Sequence, residues 1–282
     1  KSLKKSSVEN NYIKATPFFN YFSKRNKLSL NKLFIFFRIF RLSILNYRNP
    51  YIQPKFLWSV KSKFRDIFRR AIFQYILPFY EPQPNDKFIL IPLHVQPEAG
   101  IDVIGEKFSN QLEFIRQICR TTPTEIIIYV KEHPHDFGRR KLEFYNDLSK
   151  IPCVKLIHPL VSNKNLLMSA QLIISVAGTS SLEAALIKKP AVTAVKSHFH
   201  FLMVQPSFDP FIEKVSELLD KAKNFKVSDR KIKKFYENAK TNLFDGNTID
   251  CKTDPSVLDK QNLIKLEKAF LEVIECLKNK NV

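Results

Sequence analysis

The sequence predicts an α/β fold: a doubly wound parallel sheet, preceded by a helical N-terminal extension and followed by C-terminal helices. Three observations carry the prediction. Short apolar runs alternate with segments of helical spacing between residues 88 and 195. The runs are continuous, as suits parallel strands covered on both faces. Beyond Pro210 the spacing is helical only.

Taken in order, Phe88 to Leu93 reads as a strand, and Phe108 to Cys119 as a helix carrying Phe108, Leu112, Ile115 and Ile118 on one face. Glu125 to Val130 is a second strand, 139–148 a helix, 154–157 a strand and 163–169 a helix. Residues 172–176, 181–187 and 191–195 read as strand, helix and strand. The alternation is that of a Rossmann-like domain. Helices follow at about 211–223, 228–240 and 257–279. The two prolines of Glu81-Pro82-Gln83-Pro84-Asn85-Asp86 mark a linker. The expected divisions are therefore a basic, Phe-rich helical segment (1–84), the Rossmann-like domain (85–240), and a C-terminal loop and helix (241–282).

Charge separates the front of the chain from the rest. With 46 basic and 27 acidic residues the net charge is +19. Residues 1–80 hold 17 Lys or Arg against Glu9 and Asp66, a net of +15, and 12 of the 25 Phe. Three readings fit: a surface resting on anionic lipid, a nucleic-acid surface, or helices with a solvated basic face. The lipid reading is carried forward, with no nucleic-acid partner. The most apolar stretch, Leu33 to Leu42, is interrupted by Arg38 and Arg41 and is too short to span a bilayer. No signal-peptide pattern is present. The chain starts with Lys, so a fragment or processed form is expected. Cys119, Cys153, Cys251 and Cys276 form no CxxC pair, so neither a zinc site nor a disulfide is expected, and a reducing, cytoplasmic compartment fits.

In doubly wound sheets ligands bind outside the C-terminal strand ends. The loop after the second strand, Lys131-Glu132-His133-Pro134-His135-Asp136-Phe137-Gly138-Arg139-Arg140, is polar where a buried strand ends. His133 there can donate to a phosphate oxygen, and Pro134 restricts the backbone behind it. The loop after the fourth strand, Gly178-Thr179-Ser180-Ser181, opens a helix, so glycine, hydroxyls and helix start together suit an anion. Simple capping fits as well, with Ser180 and Glu183 as a capping box. Glu183 is alternatively placed to face a ribose diol. After the first strand, Gln96-Pro97-Glu98 presents Glu98 as an acid–base candidate, with Asp102 second, although either fits a solvated loop acid. No GxxxxGK[ST], GxGxxG or Asp-x-Asp occurs, and His133 with His135 is too small a set for a metal.

The runs PLHVQPEAG, YVKEHPHDFGRR and SVAGTSSLEAALIKKPAV, in that order over about residues 85–200, resemble the capsule polysaccharide biosynthesis proteins, GT-B glycosyltransferase relatives that include Kdo transferases. The resemblance implies that the Rossmann-like domain is the C-terminal, nucleotide-sugar half of a GT-B fold. It implies that His133, Pro134, Thr179, Ser180 and Ser181 hold the donor nucleotide and phosphate, and Lys131, Gly178 and Glu183 join them as neighbours in the same loops. Glu98 and His133 would be catalytic, and Gln96 and Arg139 would face the acceptor or the cleft. It implies a metal-independent glycosyltransferase without cofactor, using a nucleotide-sugar donor (a CMP-sugar such as CMP-Kdo favoured) and a lipid-linked or polysaccharide acceptor, peripheral to the inner membrane. Eighty basic, Phe-rich residues cannot make the other GT-B half, so that half is missing or the chain is a partial relative. The alternatives are a nucleotide-sugar epimerase, a polyol-phosphate transferase, or a non-catalytic component of a synthesis or export complex.

Overall fold

A computed structural model of the chain describes residues 56–241, 245–248 and 255–280. The apolar stretch 33–42 lies outside them. Five strands, β1 (Phe88–Pro92), β2 (Ile127–Lys131), β3 (Val154–Ile157), β4 (Leu172–Ser175) and β5 (Ala191–Thr193), form one sheet in the order β3-β2-β1-β4-β5. Every pairing is parallel. The chain moves outward from β1 through β2 to β3, then returns to the other side of β1 for β4 and β5. The reversal leaves a crevice at the carboxyl ends of β1 and β4.

The strands form because their apolar runs are covered on both faces. Ile89, Leu90, Ile128, Tyr129, Val130, Leu172, Ile173 and Ile174 are buried completely. The helices are α1 (Phe56–Ile76), α2 (Ala99–Asp102), α3 (Gln111–Thr121), α4 (Leu142–Ser149), α5 (Asn163–Ser169), α6 (Thr179–Leu186) and α7 (Val215–Lys223). Helix α3 starts where Asn110 accepts a bond from the Glu113 N–H at 3.2 Å, and it buries Phe114, Ile115 and Ile118 against the sheet. Ser162 caps α5 in the same way, through the Asn165 N–H at 3.4 Å.

Helix α1 joins this core. Phe73 and Leu77 are buried, and the Phe73 ring meets Tyr145 edge-on at 5.7 Å. Its middle presses on the loop after β2, where Gly138 has φ +85° and an added Cβ would meet Arg70 Cγ at 2.6 Å and the Asp66 carbonyl at 2.8 Å. Downstream, the Tyr80 N–H donates to the Leu156 carbonyl at 2.8 Å, so the linker runs beside β3.

Compactness divides the chain after Ser228. The sequence divisions at 84 and 240 are drawn on composition and spacing, a different criterion. The second unit contains α8 (Asp229–Thr241) and α9 (Lys260–Lys280), and Asn262 within it bonds Asn247 and Val257.

One cysteine expectation is overturned. Cys119 in α3 and Cys153 just before β3 are joined in a disulfide, with Cα atoms 6.4 Å apart. The Ile128 N–H donates to the Cys153 carbonyl, so the start of β3 is tied to β2. The 34-residue separation gave the pair no local signature.

Candidate functional site

A cavity of about 740 Å³ opens at the crevice, lined by the loops that follow β1, β2 and β4. Each wall is built differently.

The β1 wall is a polar lattice. The His94 N–H donates to Gln111 Oε1 at 2.8 Å, and Gln111 Nε2 donates to Gln96 Oε1 at 2.7 Å. Gln96 Nε2 in turn donates to Asp102 Oδ1 at 2.8 Å, while Asp102 Oδ2 accepts the Glu98 N–H at 2.8 Å. The Gln96 amide and the Glu98 N–H hold the Asp102 carboxyl below its ordinary range. Asp102 thus folds the loop, and Gln96 is spent inside it and does not line the cavity. Glu98 does line the cavity, exposed at its rim, as does Arg139.

The β2 wall rests on buried charge. Glu132 is fully buried and accepts from Arg140 Nε at 2.8 Å, the Tyr145 hydroxyl at 2.8 Å and the His133 N–H at 2.7 Å. Asp136 Oδ2 lies 3.3 Å from the Arg140 guanidinium and accepts the Gln96 N–H at 3.0 Å. Arg140 also donates to the His94 carbonyl, so one guanidinium ties the β2 loop to the β1 loop. From this wall Lys131, Glu132, His133, Pro134, His135 and Arg139 line the cavity. His133 Nδ1 accepts the His135 N–H at 3.2 Å, which leaves the proton of a neutral ring on Nε2. Burial, then His135 and Lys131, push its pKa down and keep it neutral. Lys131 is only 8% exposed, and its ammonium has no ion-pair or hydrogen-bond partner among the described residues. Burial lowers its pKa to about 8, with Glu183 and Glu132 opposing.

The β4 wall is mostly backbone. Gly178 precedes α6, whose first turn carries Thr179 and Ser180 on the cavity lining. No side chain caps the helix start. The capping box is therefore absent, and Glu183 instead accepts from Asn163 Nδ2 at 3.2 Å. Ser181 turns away from the cavity. It is fully buried, bonded to the Ser175 hydroxyl at 2.7 Å and donating to the Val192 carbonyl at 3.1 Å.

His94 bridges the β1 and β4 walls. Its Nε2 accepts the Val176 N–H at 3.1 Å, so the ring proton sits on Nδ1. A Cβ at Gly178 would lie 3.0 Å from His94 Cε1, so glycine is what lets the turn approach the ring. Burial, then Arg140 and His133, lower the His94 pKa to about 4. The cavity thus collects Lys131, Arg139, the imidazoles of His94, His133 and His135, two hydroxyls and the N–H groups of a helix start, donors that complement an anion, beside the carboxylates of Glu98, Glu132 and Glu183.

The sequence model of the capsule polysaccharide biosynthesis proteins matches residues 68–235, more than half of the chain. The chain belongs to the capsule polysaccharide biosynthesis protein family. No curated protein gives a significant match. Among solved structures, the chain is similar to a UDP-GlcNAc 2-epimerase from Methanocaldococcus jannaschii in complex with UDP-GlcNAc and UDP (19% identity, TM-score 0.37, covering 66% of this chain and 52% of that one). A Neisseria meningitidis UDP-GlcNAc 2-epimerase bound to UDP-GlcNAc has 19% identity and a TM-score of 0.34, covering 66% and 51%. A putative UDP-N-acetylglucosamine 2-epimerase from Listeria monocytogenes has 15% identity and a TM-score of 0.35, covering 54% and 42%. The chain spans about half the length of these structures or less.

In this capsule-synthesis family member the cavity brings together Glu98, Lys131, His133, Pro134, Arg139, Gly178, Thr179, Ser180 and Glu183, and leaves out Gln96 and Ser181. Sequence reasoning missed His94, Gln111, Arg140 and Tyr145. The signal for His94 was its place, one residue past a predicted strand in a loop already under inspection. Tyr145 and Gln111 gave none, because each lies on a helix and reaches the site only through packing. Among the described residues no three His, Cys, Asp or Glu side chains are grouped to hold a metal, and no helix is long and apolar enough to cross a membrane.

Proposed function

We propose that the chain is a glycosyltransferase of capsule or surface polysaccharide synthesis, moving a sugar from a nucleotide donor to a glycan or lipid-linked acceptor. The observation that carries this is Lys131, nine-tenths buried and with no ion pair or hydrogen bond among the described residues, only the longer-range pull of Glu183 and Glu132, on a cavity lining it shares with the Thr179–Ser180 helix start. A buried ammonium without a partner is costly in the empty protein, and an anionic ligand offsets that cost. Donor phosphate fits between Lys131 and the first turn of α6, with His133 Nε2–H and His94 Nδ1–H as neutral donors. Charge developing on the phosphate as the glycosidic bond breaks would be stabilised by groups already in place. Glu98 at the rim is the carboxylate assigned to accept a proton from the acceptor hydroxyl, Glu183 on the same lining being bonded to Asn163, and Arg139 stands on the same rim.

A CMP-sugar, CMP-Kdo in particular, is the favoured donor within this reading, on the family's Kdo-transferase relatives. The protein would work in the cytoplasm, peripheral to the inner membrane, where lipid-linked acceptors lie. The test is incubation of the purified chain with CMP-Kdo, or with UDP-sugars, and a lipid-linked or oligosaccharide acceptor, with products identified by mass. Transfer predicts free nucleotide and an acceptor heavier by one sugar. An epimerised donor would replace this reading with an isomerase, and an unconsumed donor that still binds would favour a non-catalytic component.

A further inference from the structure

Helix α1 has two dissimilar faces. The inner face belongs to the core through Phe73 and Leu77, and it grips the site: Arg70 donates to the Phe137 carbonyl at 2.7 Å and the His135 carbonyl at 3.3 Å, within the loop that carries His133. The outer face carries Phe64, Ile67, Phe68, Ala71 and Tyr75 at spacings of three and four, one continuous stripe. Phe64, Phe68 and Tyr75 are 70%, 66% and 80% exposed. Lys61, Arg65 and Arg69 recur every four residues along its flank, with Arg69 half-buried and donating to the Arg139 carbonyl at 3.5 Å. The helix's single acid, Asp66, is half-buried, bonded to Arg65 and turned toward Arg139.

We propose that this outer face rests on an anionic lipid surface, with the aromatic stripe at headgroup depth and Lys61, Arg65 and Arg69 against the headgroups. Charge selects this occupant. A second copy of the same face would set like charges against each other. Residues 1–55 cannot neutralise it either, since they hold 12 Lys or Arg and only Glu9. A bilayer rich in anionic lipid supplies both what the stripe and what the flank lack. The stripe does not span the bilayer; it lies on it. It also sits on the helix that clamps the His133 loop, which would place the cavity beside the surface. The proposal does not depend on the transferase reading: failure to bind lipid would leave nucleotide binding untouched, and the reverse.

The experiment is co-sedimentation of the full chain with vesicles of phosphatidylcholine or of phosphatidylglycerol, for wild type and for Phe64→Ser/Phe68→Ser/Tyr75→Ser. All three substituted side chains are exposed, and an unchanged thermal transition checks that the variant folds. The expected result is wild type pelleting with phosphatidylglycerol and not phosphatidylcholine, about tenfold or more weaker partitioning of the triple variant, and about fivefold weakening for Lys61→Gln. The proposal is overturned if wild type ignores phosphatidylglycerol, or if the folded triple variant binds as tightly as wild type, which would locate attachment elsewhere in the basic segment. It is equally overturned if wild type is a dimer that the triple variant converts to monomer, because the stripe would then be a contact between copies.

Discussion

The β2 and β4 walls of the cavity face the same space and are built on opposite principles. The β4 wall needs little more than a glycine, a helix start and two short hydroxyl side chains, so its donors come from backbone geometry. The β2 wall places its donors with side chains, and they are held by buried charges: Glu132 receives three bonds, and Arg140 joins Glu132, Asp136 and the His94 carbonyl. The first kind of wall tolerates the loss of a side chain. The second does not, because removing one member strands another in a poorly solvated interior. The contrast teaches that fragility and ligand contact are largely separable here: of the residues that hold the β2 wall together, Asp136, Arg140 and Tyr145 stay off the cavity lining and only Glu132 reaches it.

The largest effect should come from breaking the buried lattice. Glu132→Ala leaves Arg140 without its closest carboxylate and Tyr145 without its acceptor, so unfolding stability should fall by about 3–5 kcal/mol. Denaturant titration measures it. A loss below one kcal/mol would mean that the lattice does not hold the wall.

Lys131→Ala should behave in the opposite way. Nucleotide affinity should drop about 10- to 100-fold, the size of a lost hydrogen bond to a charged group, while stability holds or rises because an unpaired buried charge is gone. Loss of affinity together with loss of stability would move Lys131 from ligand contact to scaffold.

The pH response sharpens the same residue. With its pKa at about 8, Lys131 is charged below that value, so nucleotide affinity should be level there and fall as pH rises through it. The fall approaches about tenfold per pH unit until the pKa of the bound state is reached, and Lys131→Arg should remove it. Stability of the ligand-free protein should move the other way. The unfolded lysine keeps its proton up to its ordinary value of 10.5, so between about 8 and 10.5 the unfolded chain binds more protons and stability climbs with pH. Affinity that stays level across this range would place another cation at the phosphate.

The two adjacent serines give the smallest and most local contrast. Ser180→Ala should weaken nucleotide binding by about 2- to 10-fold with little effect on folding. Ser181→Ala should cost about 1 kcal/mol of stability through its bonds to Ser175 and Val192, with affinity intact. Parallel calorimetric and unfolding series on the two variants check both halves.

The sheet was legible in the sequence because its strands are continuous apolar runs, and β3 and α5 fall where the spacing places them. The cavity was legible as a set of loops, since position at a carboxyl strand end needs only strand order. The direction of individual side chains was not. Ser180 and Ser181 are indistinguishable as letters, and only the angle of α6 against β5 decides which faces the cavity and which bonds Val192. Gln96 stands in a loop that reads as a site, yet its amide is taken up by Gln111, Asp102 and Ser109, and the local sequence marks none of them as its partner. Arg140 and Tyr145 were hidden for the same reason, because their partners come from other elements. The disulfide between Cys119 and Cys153 likewise depends on where α3 ends relative to β3.

The central claim, that the crevice between β1 and β4 holds the phosphate of a nucleotide donor, is tested most directly by calorimetric titration of the full chain with CMP, UDP and GDP. Wild type, Lys131→Ala, Ser180→Ala and Ser181→Ala would be compared. The predicted result is saturable binding with CMP preferred, weakened about 10- to 100-fold in Lys131→Ala, less in Ser180→Ala, and retained in Ser181→Ala. Binding that ignores Lys131, or no binding of any of the three nucleotides by the folded wild-type chain, would contradict it.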